Sequence, residues 1–261
     1  MKHIWARPHT STQLTALADI PLIRPGDDLA AIVLAGLARA ELTLQDGDVI
    51  VIAQKIVSKA EGRLLHWREL IPSAQALELA ALTGKHPGHV QAILDDSLSI
   101  VRVARGVLIT EQRAGWICAN AGVDHSNVDG DSDDLLTLLP DDADRSAQRL
   151  RERLVDATGA QIAVIINDTH GRAWRMGAVG VAIGVAGIIP VTDLRGHPDL
   201  FGMTLRSSEV GTADEIASAA SLLMGQSDEG RPIVHVRGAP FQAGEGSARA
   251  IVRPPQLDLF R

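Results

Sequence analysis

The sequence predicts a mixed α/β fold, in which helices and strands alternate irregularly, in an α+β manner, and do not form a regular doubly wound sheet. Two observations support this class. Apolar residues recur at helical spacing in several segments, and short continuous runs of β-branched apolar residues lie between them. In residues 100–122, strand-like segments follow each other with no helix between them. The length of 261 residues is consistent with a single domain over 1–261.

The first elements are a helix and a buried strand. Residues 25–44 have apolar side chains at helical spacing, and Asp27 or Asp28 is the expected N-cap. A turn at Asp46-Gly47 then leads into a continuous apolar strand over residues 49–53. We expect the strand to open into a polar loop that contains Lys55, Lys59, Glu61 and Arg63.

The middle of the chain contains two helices, paired strands and an acidic segment. One helix is expected between a Ser73 cap and a Gly84 stop, and a shorter one within residues 86–97. Residues 100–122 are typical of paired strands joined by polar turns. Residues 129–144 are rich in Asp, which predicts a solvated surface loop.

The last third of the chain is expected to hold, in order, a helix from Ser146 to Gly159, a strand over 162–166, a helix that ends at Gly225, a strand within 231–238 and a terminal tail. Thr212 and Glu215 have the spacing of a capping box for the helix before Gly225. Glycine recurs every three or four residues within 177–187. The simplest interpretation is that these glycines allow close packing of a helix or strand.

Composition and charge limit the classes of function. There are 25 Lys and Arg against 32 Asp and Glu, a formal charge of −7, which argues against binding to a nucleic-acid backbone. The N-terminus lacks the apolar core of a signal peptide, and the longest apolar stretch is too short and glycine-rich to span a membrane. We therefore expect a cytoplasmic protein with no membrane partner. The single cysteine, Cys118, is expected to be buried and reduced.

Three polar clusters adjoin apolar segments: NAGVDHSNV at residues 120–128, NDTHGR at 167–172 and MGQSDEGR at 224–231. Each alone fits an ordinary turn. Together, Asp124, Asp168 and Thr169 offer the hard oxygen ligands that magnesium and manganese use in phosphoryl-transfer enzymes. His125 and His170 suggest a zinc site as an alternative, although the sequence has neither the HxxxH nor the CxxC spacing that is typical of zinc ligands.

Neither standard phosphate-binding fingerprint occurs in the sequence, which excludes a P-loop and the dinucleotide glycine motif. Lys59 and Arg63 are candidates for neutralising phosphates, with a solvated loop as the alternative. The glycine-rich residues 236–248 either approach a ligand through backbone amides or form a simple loop. The residues alone thus favour a metal-dependent nucleotide or phosphate enzyme over a binding module.

The chain resembles the coenzyme F-420-0:L-glutamate ligases, or γ-glutamyl ligases. The resemblance covers residues 20–247 and rests on ordered strings, which are IPLIRPGDDL, DGDVIVIAQKIVSKAEGR, NAGVDHSNV, IINDTHGRAWRMGAVGVAIGVAG, DLRGHPDLFG, ADEIASAASLLMG, and finally VRG and GEGS. It implies a two-lobed mixed α/β fold without a P-loop and an intertwined homodimer.

The resemblance also implies a reaction. GTP phosphorylates a carboxylate of coenzyme F-420-0, the amine of L-glutamate displaces the phosphate, and further glutamates are added through γ-linkages. The expected cofactors are Mn²⁺ or Mg²⁺ in a two-metal site, together with K⁺. The alternatives are a ligase of the same scaffold that uses another acceptor, and a non-catalytic nucleotide-binding module.

Site residues carry over from the family by position. The metal ligands are expected to be Asp124 and Asp168 for the first ion, and Thr169 and Gln226 for the second. The residues expected to contact the nucleotide are Ile20, Pro21, Leu22, Ile23, Lys59, Asn127, Met224, Gly225, Ser227, Asp228, Glu229, Gly230 and Arg231.

Position 226 departs from the family pattern. Members commonly have Met-Gly-Glu where this chain has Met224-Gly225-Gln226. Gln226 offers a neutral carbonyl oxygen in place of a carboxylate, which lowers the charge available to a second metal. Asp228 or Glu229 is the candidate for compensating this loss. His170 is expected to adjoin the metal ligands or face the substrate without being catalytic.

Overall fold

The computed structural model describes residues 11–127 and 133–258. The strands are β1 (Gln13–Ala16), β2 (Val49–Ala53), β3 (Leu64–His66), β4 (Ser97–Ala104), β5 (Val107–Gln112), β6 (Ile117–Ala119), β7 (Leu135–Thr137), β8 (Ala163–Arg172), β9 (Arg175–Ala186), β10 (Thr192–Asp193), β11 (Glu209–Val210) and β12 (Ile233–Arg237). The α-helices are α1 (Leu29–Arg39), α2 (Gln54–Ala60), α3 (Ala74–Thr83), α4 (Pro87–Asp95), α5 (Ala143–Thr158) and α6 (Thr212–Met224).

A five-stranded sheet in the order β1-β12-β2-β8-β9 forms the centre of the molecule. β2 and β8 are parallel, with Ile50 opposite Val164, and the other neighbours in this sheet are antiparallel. Strands β4, β5 and β6 form a separate three-stranded sheet, and β3 with β7 and β10 with β11 form two-stranded sheets. This mixture of parallel and antiparallel strands with interspersed helices confirms the predicted mixed α/β class.

Apolar cores cover both faces of the central sheet. On one face α1 and α5 pack against side chains such as Ile50 and Ile166, and on the other α6 packs against Val51 and Ile165. Because both faces are covered, β2 is apolar at every position and does not alternate. A third core lies between α3, α4 and β5, and includes the buried Leu108.

Several predicted element ends are confirmed. Asp28 caps α1 by accepting the N–H of Ala31, Ser73 caps α3, and Gly84 ends it in a left-handed conformation. The predicted paired strands in residues 100–122 are β4, β5 and β6, which form an antiparallel meander. The final buried strand is β12.

Other expectations are wrong at the level of local structure. The polar loop expected after β2 is instead the helix α2. The acidic segment is not one loop, because it contains β7 and the start of α5; its residues 129–132 lie outside the described residues. Helix α5 is capped by Asp142 and begins before the predicted Ser146.

Two further boundaries need correction. The strand expected to end at residue 166 continues to Arg172, because its polar end pairs with β9. No capping box forms at Thr212, since Gly211 is the N-cap of α6 and the Thr212 hydroxyl bonds instead to that of Thr192, 2.7 Å away. In residues 11–127 and 133–258, no helix is long and apolar enough to cross a membrane.

Candidate functional site

A cavity of about 660 Å³ lies at one edge of the central sheet. Parallel strands β2 and β8 both point towards it, and Ala53 at the end of β2 lies opposite Asn167. β12 runs the other way, so the loop between α6 and β12 reaches the same edge. β1 is antiparallel to β12, which brings residues 20–23 there as well. Sheet topology therefore gathers distant segments at the carboxyl ends of the parallel strands, the usual position of ligand sites in open α/β sheets.

The predicted site residues meet around this cavity. Every metal-ligand and nucleotide-contact residue carried over from the family, except Arg231, is among the lining residues. The phosphate candidate Arg63 is not, because it pairs with Asp141 and donates to the carbonyl of Leu139. The three polar clusters of the sequence are thus neighbours in space, although residues 124 and 226 are far apart along the chain. Arg231 lies directly beyond the lining residue Gly230, at the start of the approach to β12.

Asp124 is held by partners from two elements. A backbone bridge to Thr137 fixes its main chain, with N···O distances of 2.8 and 3.0 Å. Its carboxylate forms an ion pair with Lys55 of α2 and accepts the N–H of Ser126 at 2.9 Å. Burial opposes ionisation, but the hydrogen bonds from Lys55 and Ser126 outweigh it and hold the pKa of Asp124 below its ordinary value. Asp124 is therefore a preformed anionic group at the cavity wall.

Asp168 and Thr169 lie on consecutive positions of β8, opposite Val181 and Gly180 of β9. The Asp168 carboxylate is 2.9 Å from Nε2 of His170, and the side chains of both residues are largely buried. His170 thus contacts a predicted metal ligand directly, in agreement with its expected position beside the site. A paired strand fixes the backbone of these residues more firmly than the predicted turn would.

The loop after α6 and the loop after Asp124 are hydrogen-bonded to each other. The side-chain amide of Asn127 donates to the carbonyl of Ser227 at 3.1 Å, and Lys59 donates to the carbonyl of Asn127 at 2.7 Å. Within the first loop, the Glu229 carboxylate accepts the N–H of Ser227 at 2.8 Å, and this bond lowers the pKa of Glu229. The cavity wall formed by these loops is continuous.

Gly225 makes room for the Glu229 carboxylate. Its φ of +75° is unfavourable for other residues, and a Cβ at this position would lie 2.0 Å from Cδ of Glu229. The neighbouring Gln226 lines the cavity without a carboxylate of its own. The Glu229 carboxylate therefore lies beside Gly225, the residue before Gln226.

Sequence reasoning missed Lys55 and Asn167 as site residues. Lys55 precedes Lys59 by one turn of α2, but the sequence predicts a loop here, in which this spacing has no structural meaning. Asn167 is 4% exposed, and its Oδ1 has no hydrogen-bond partner within residues 11–127 and 133–258. This oxygen is buried and faces Gly180 of β9.

Cys118 also lines the cavity, and its predicted burial is confirmed. Burial, and then the neighbouring Asp168 charge, raise the pKa of this thiol to about 12. The thiol is therefore protonated at neutral pH and is a poor nucleophile.

The residues present fit a divalent cation of the magnesium type. Among the described residues, no three side chains of the types His, Cys, Asp and Glu are close enough to hold a metal by themselves. Magnesium sites in phosphoryl-transfer enzymes need only one or two carboxylates, because substrate phosphates and water supply the other ligands. Asp124 and Asp168 meet that requirement, with Thr169 as a neutral oxygen donor. His125 bonds instead to the carbonyl of Asp133 at 2.7 Å.

Comparison with known proteins identifies the family. The family model described as F420-0:Gamma-glutamyl ligase matches residues 18–238. The chain is 48% identical to the coenzyme F420:L-glutamate ligase of Methanothermobacter thermautotrophicus over 95% of this chain and 98% of that one. It is 43% identical to the enzyme of that name from Methanocaldococcus jannaschii, over 93% and 94% of the two chains. The enzyme of that name from Methanopyrus kandleri is 48% identical over 92% and 93%. With this match over most of its length, the chain belongs to the F420-0:γ-glutamyl ligase family.

Proposed function

We propose that the protein is a GTP-dependent ligase that joins L-glutamate to the carboxylate of coenzyme F-420-0 and then adds further glutamates through γ-linkages. The observation that carries this proposal is the convergence of two aspartates, two lysines and the loop after α6 on one cavity. The relatives named above are coenzyme F420:L-glutamate ligases, and this chain matches them over nearly their whole length, which supports the proposed substrates.

The proposed reaction has two steps. An acceptor carboxylate oxygen attacks the γ-phosphorus of GTP, which forms an acyl phosphate and releases GDP. The glutamate nitrogen then attacks the acyl carbon, phosphate leaves, and the amine loses a proton. A bound Mn²⁺ or Mg²⁺ would neutralise charge on the transferring phosphoryl group. We expect K⁺ to stimulate the reaction.

In this proposal the protein acts mainly by positioning. Asp124 and Asp168 would hold the first divalent cation, and Thr169 and Gln226 would hold the second. Lys59 and Asn127 contact the phosphates and the ribose side of GTP from one wall of the cavity. Residues 20–23 supply backbone groups for the guanine, and the loop over 224–231 covers the nucleotide. Asp168 and Thr169 lie on β8 and Lys59 lies on α2, and correct placement of such groups contributes much of the barrier reduction in these transfers.

We propose that the protein works as a homodimer. Trp174 and Met176 at the end of the β8–β9 hairpin are 87% and 96% exposed, and Leu200 and Phe201 in the β10–β11 connection are 99% and 95% exposed. Large apolar side chains at such exposure are typical of surfaces covered by a partner. Sedimentation should give twice the chain mass for the native protein, and Phe201→Asp should shift it towards the monomer. A monomeric native protein at micromolar concentration would contradict the proposal.

A turnover assay tests the proposed function. Purified protein with GTP, Mn²⁺, L-glutamate and coenzyme F-420-0 should release GDP and phosphate and give a product heavier by one glutamyl unit. Omission of either the acceptor or L-glutamate should abolish the heavier product. If another carboxylic acid or amine stimulates GTP turnover instead, the protein is a ligase with different substrates. GTP binding without turnover for every acceptor would indicate a nucleotide-binding module.

A further inference from the structure

Lys55 lies in the candidate site and has no role in the reaction as proposed so far. Its ammonium group forms the ion pair with Asp124 and also donates to the carbonyl and the hydroxyl of Ser126, at 2.7 and 2.9 Å. An ammonium group has three N–H donors, so these three acceptors use all of them. The side chain is 18% exposed, and little water reaches it.

The backbone of Lys55 is fixed, while its side chain can move. α2 follows β2 directly, and the neighbouring Gln54, Ile56 and Val57 are buried. The four-carbon stem of lysine has several rotatable bonds, and its charge is compact. The ammonium group can therefore leave Asp124 without any change in α2.

The ammonium group occupies the position that a cation on Asp124 would take. It donates a hydrogen bond to Oδ2 of the Asp124 carboxylate, while Oδ1 accepts one from the N–H of Ser126. Two cations in contact with the same Oδ2 lie so close together that they repel each other, although the Asp124 side chain is 42% exposed. A divalent ion that binds Asp124 must therefore displace the Lys55 ammonium from it.

We propose that Lys55 is a positioning residue that serves as the resident counter-cation of Asp124 and is displaced when a divalent cation binds there. In the metal-free state it pairs with Asp124 and joins α2 to the loop over 124–127. After displacement its positive charge faces the cavity, which is where the phosphates of GTP would lie. This inference rests on the proposed function, since it assumes that Asp124 is a metal ligand.

The test is a titration with Mn²⁺ alone, without nucleotide, in which electron paramagnetic resonance measures the free hexaaquo ion. Lys55→Met removes the competing charge, so it should bind Mn²⁺ roughly tenfold more tightly than the native protein. Lys55→Arg keeps the charge and should bind Mn²⁺ with nearly native affinity. Lys55→Gln is a polar replacement that gives the same comparison if Lys55→Met does not fold.

Lys59→Met is the matched control. Lys59 is one helical turn away and contacts the carbonyl of Asn127 rather than Asp124. Its loss removes the same charge from the same helix, and Mn²⁺ affinity should change less than about threefold. Unchanged or weaker Mn²⁺ binding by Lys55→Met and Lys55→Gln would overturn the role of Lys55 and leave the proposed ligase intact. An absence of Mn²⁺ binding in every protein, including the native one, would also overturn the role of Lys55, whereas the turnover assay described above tests the ligase independently.

Discussion

At the scale of single residues, Asp124 and Asp168 reach the cavity from different elements, and each has its own partner. Lys55 pairs with Asp124, whereas His170 contacts Asp168 at 2.9 Å. Neither carboxylate is part of an apolar core. Their loss should therefore affect the reaction far more than the folding.

Asp124→Asn and Asp168→Asn should each lower kcat/KM by roughly a hundredfold or more, because each removes a negative charge from the proposed metal site. The melting temperature should change by less than about 3 °C. Asp141→Asn is the control, since Asp141 is exposed and pairs with Arg63 outside the cavity. Unfolding of both site variants would instead assign the two aspartates a structural role.

Gln226 offers a second test at this scale. Gln226→Glu adds the carboxylate found in the family pattern and should lower the Mn²⁺ concentration needed for half-maximal turnover several-fold, because each added charge strengthens cation binding. Gln242→Glu makes the same change at an exposed position away from the cavity and should leave that concentration unchanged. An identical metal titration for both variants would show that position 226 does not face the ion.

At the scale of elements, the β8–β9 hairpin determines the shape of the site. β9 passes closely under α6, and Gly180 permits this contact because it has no side chain. A Cβ there would lie 2.6 Å from the carbonyl oxygen of Ala217 and from Oδ1 of Asn167. Gly180, Gly184 and Gly187 therefore serve close packing, as one interpretation of the sequence suggested, whereas a Cβ at Gly177 would meet nothing within 4 Å.

Gly180→Ala should lower the free energy of unfolding by about 1–3 kcal/mol, because the backbone of α6 cannot yield easily. Gly171→Ala on the same hairpin is the matched control, since a Cβ there meets nothing within 4 Å and its φ is not positive. Chemical denaturation should separate the two variants. Equal stability for both would mean that α6 shifts at little cost.

Asp48 joins the strands at the opposite end of the sheet. It is 1% exposed and bonds to Nε2 of His235 at 2.8 Å and to the guanidinium of Arg237 at 2.7 and 2.9 Å. Burial would raise the pKa of Asp48, but hydrogen bonds from Arg237 and His235 outweigh it and lower the pKa well below 3.8. The ionised form is therefore the one that stabilises the sheet.

A lowered pKa in the folded state contributes stability above the unfolded pKa of about 3.8, and this contribution is lost as the pH falls towards the folded value. Asp48→Asn leaves Arg237 without its counter-charge and should cost about 3 kcal/mol at pH 7. The difference from the native protein should narrow between about pH 5 and pH 2. A difference independent of pH, measured by chemical denaturation, would exclude an ionic contribution.

At the scale of the whole molecule, the predicted mixed α/β class is confirmed, and most residues predicted for the site line one cavity, but the local structure predicted for several of them is wrong. Asn167 to Arg172 are residues that favour turns, yet pairing with β9 makes them a strand. Lys55 and Lys59 were placed in a loop because α2 has only seven residues and no side-chain cap. The residue types within a segment do not reveal which distant strand it pairs with. The resemblance does carry this information, because it matches motifs along most of the chain in the same order.

The site itself arises from the whole topology, since β1, β2, β8 and β12 each direct one segment to the same edge of the sheet. The central claim is that the acceptor carboxylate is activated there by transfer of a phosphoryl group from GTP. Coenzyme F-420-0 labelled with ¹⁸O in both oxygens of the acceptor carboxylate tests this most directly. One ¹⁸O should appear in the released phosphate and one should remain in the amide. Released phosphate without ¹⁸O, together with a normal yield of glutamylated product, would contradict the account.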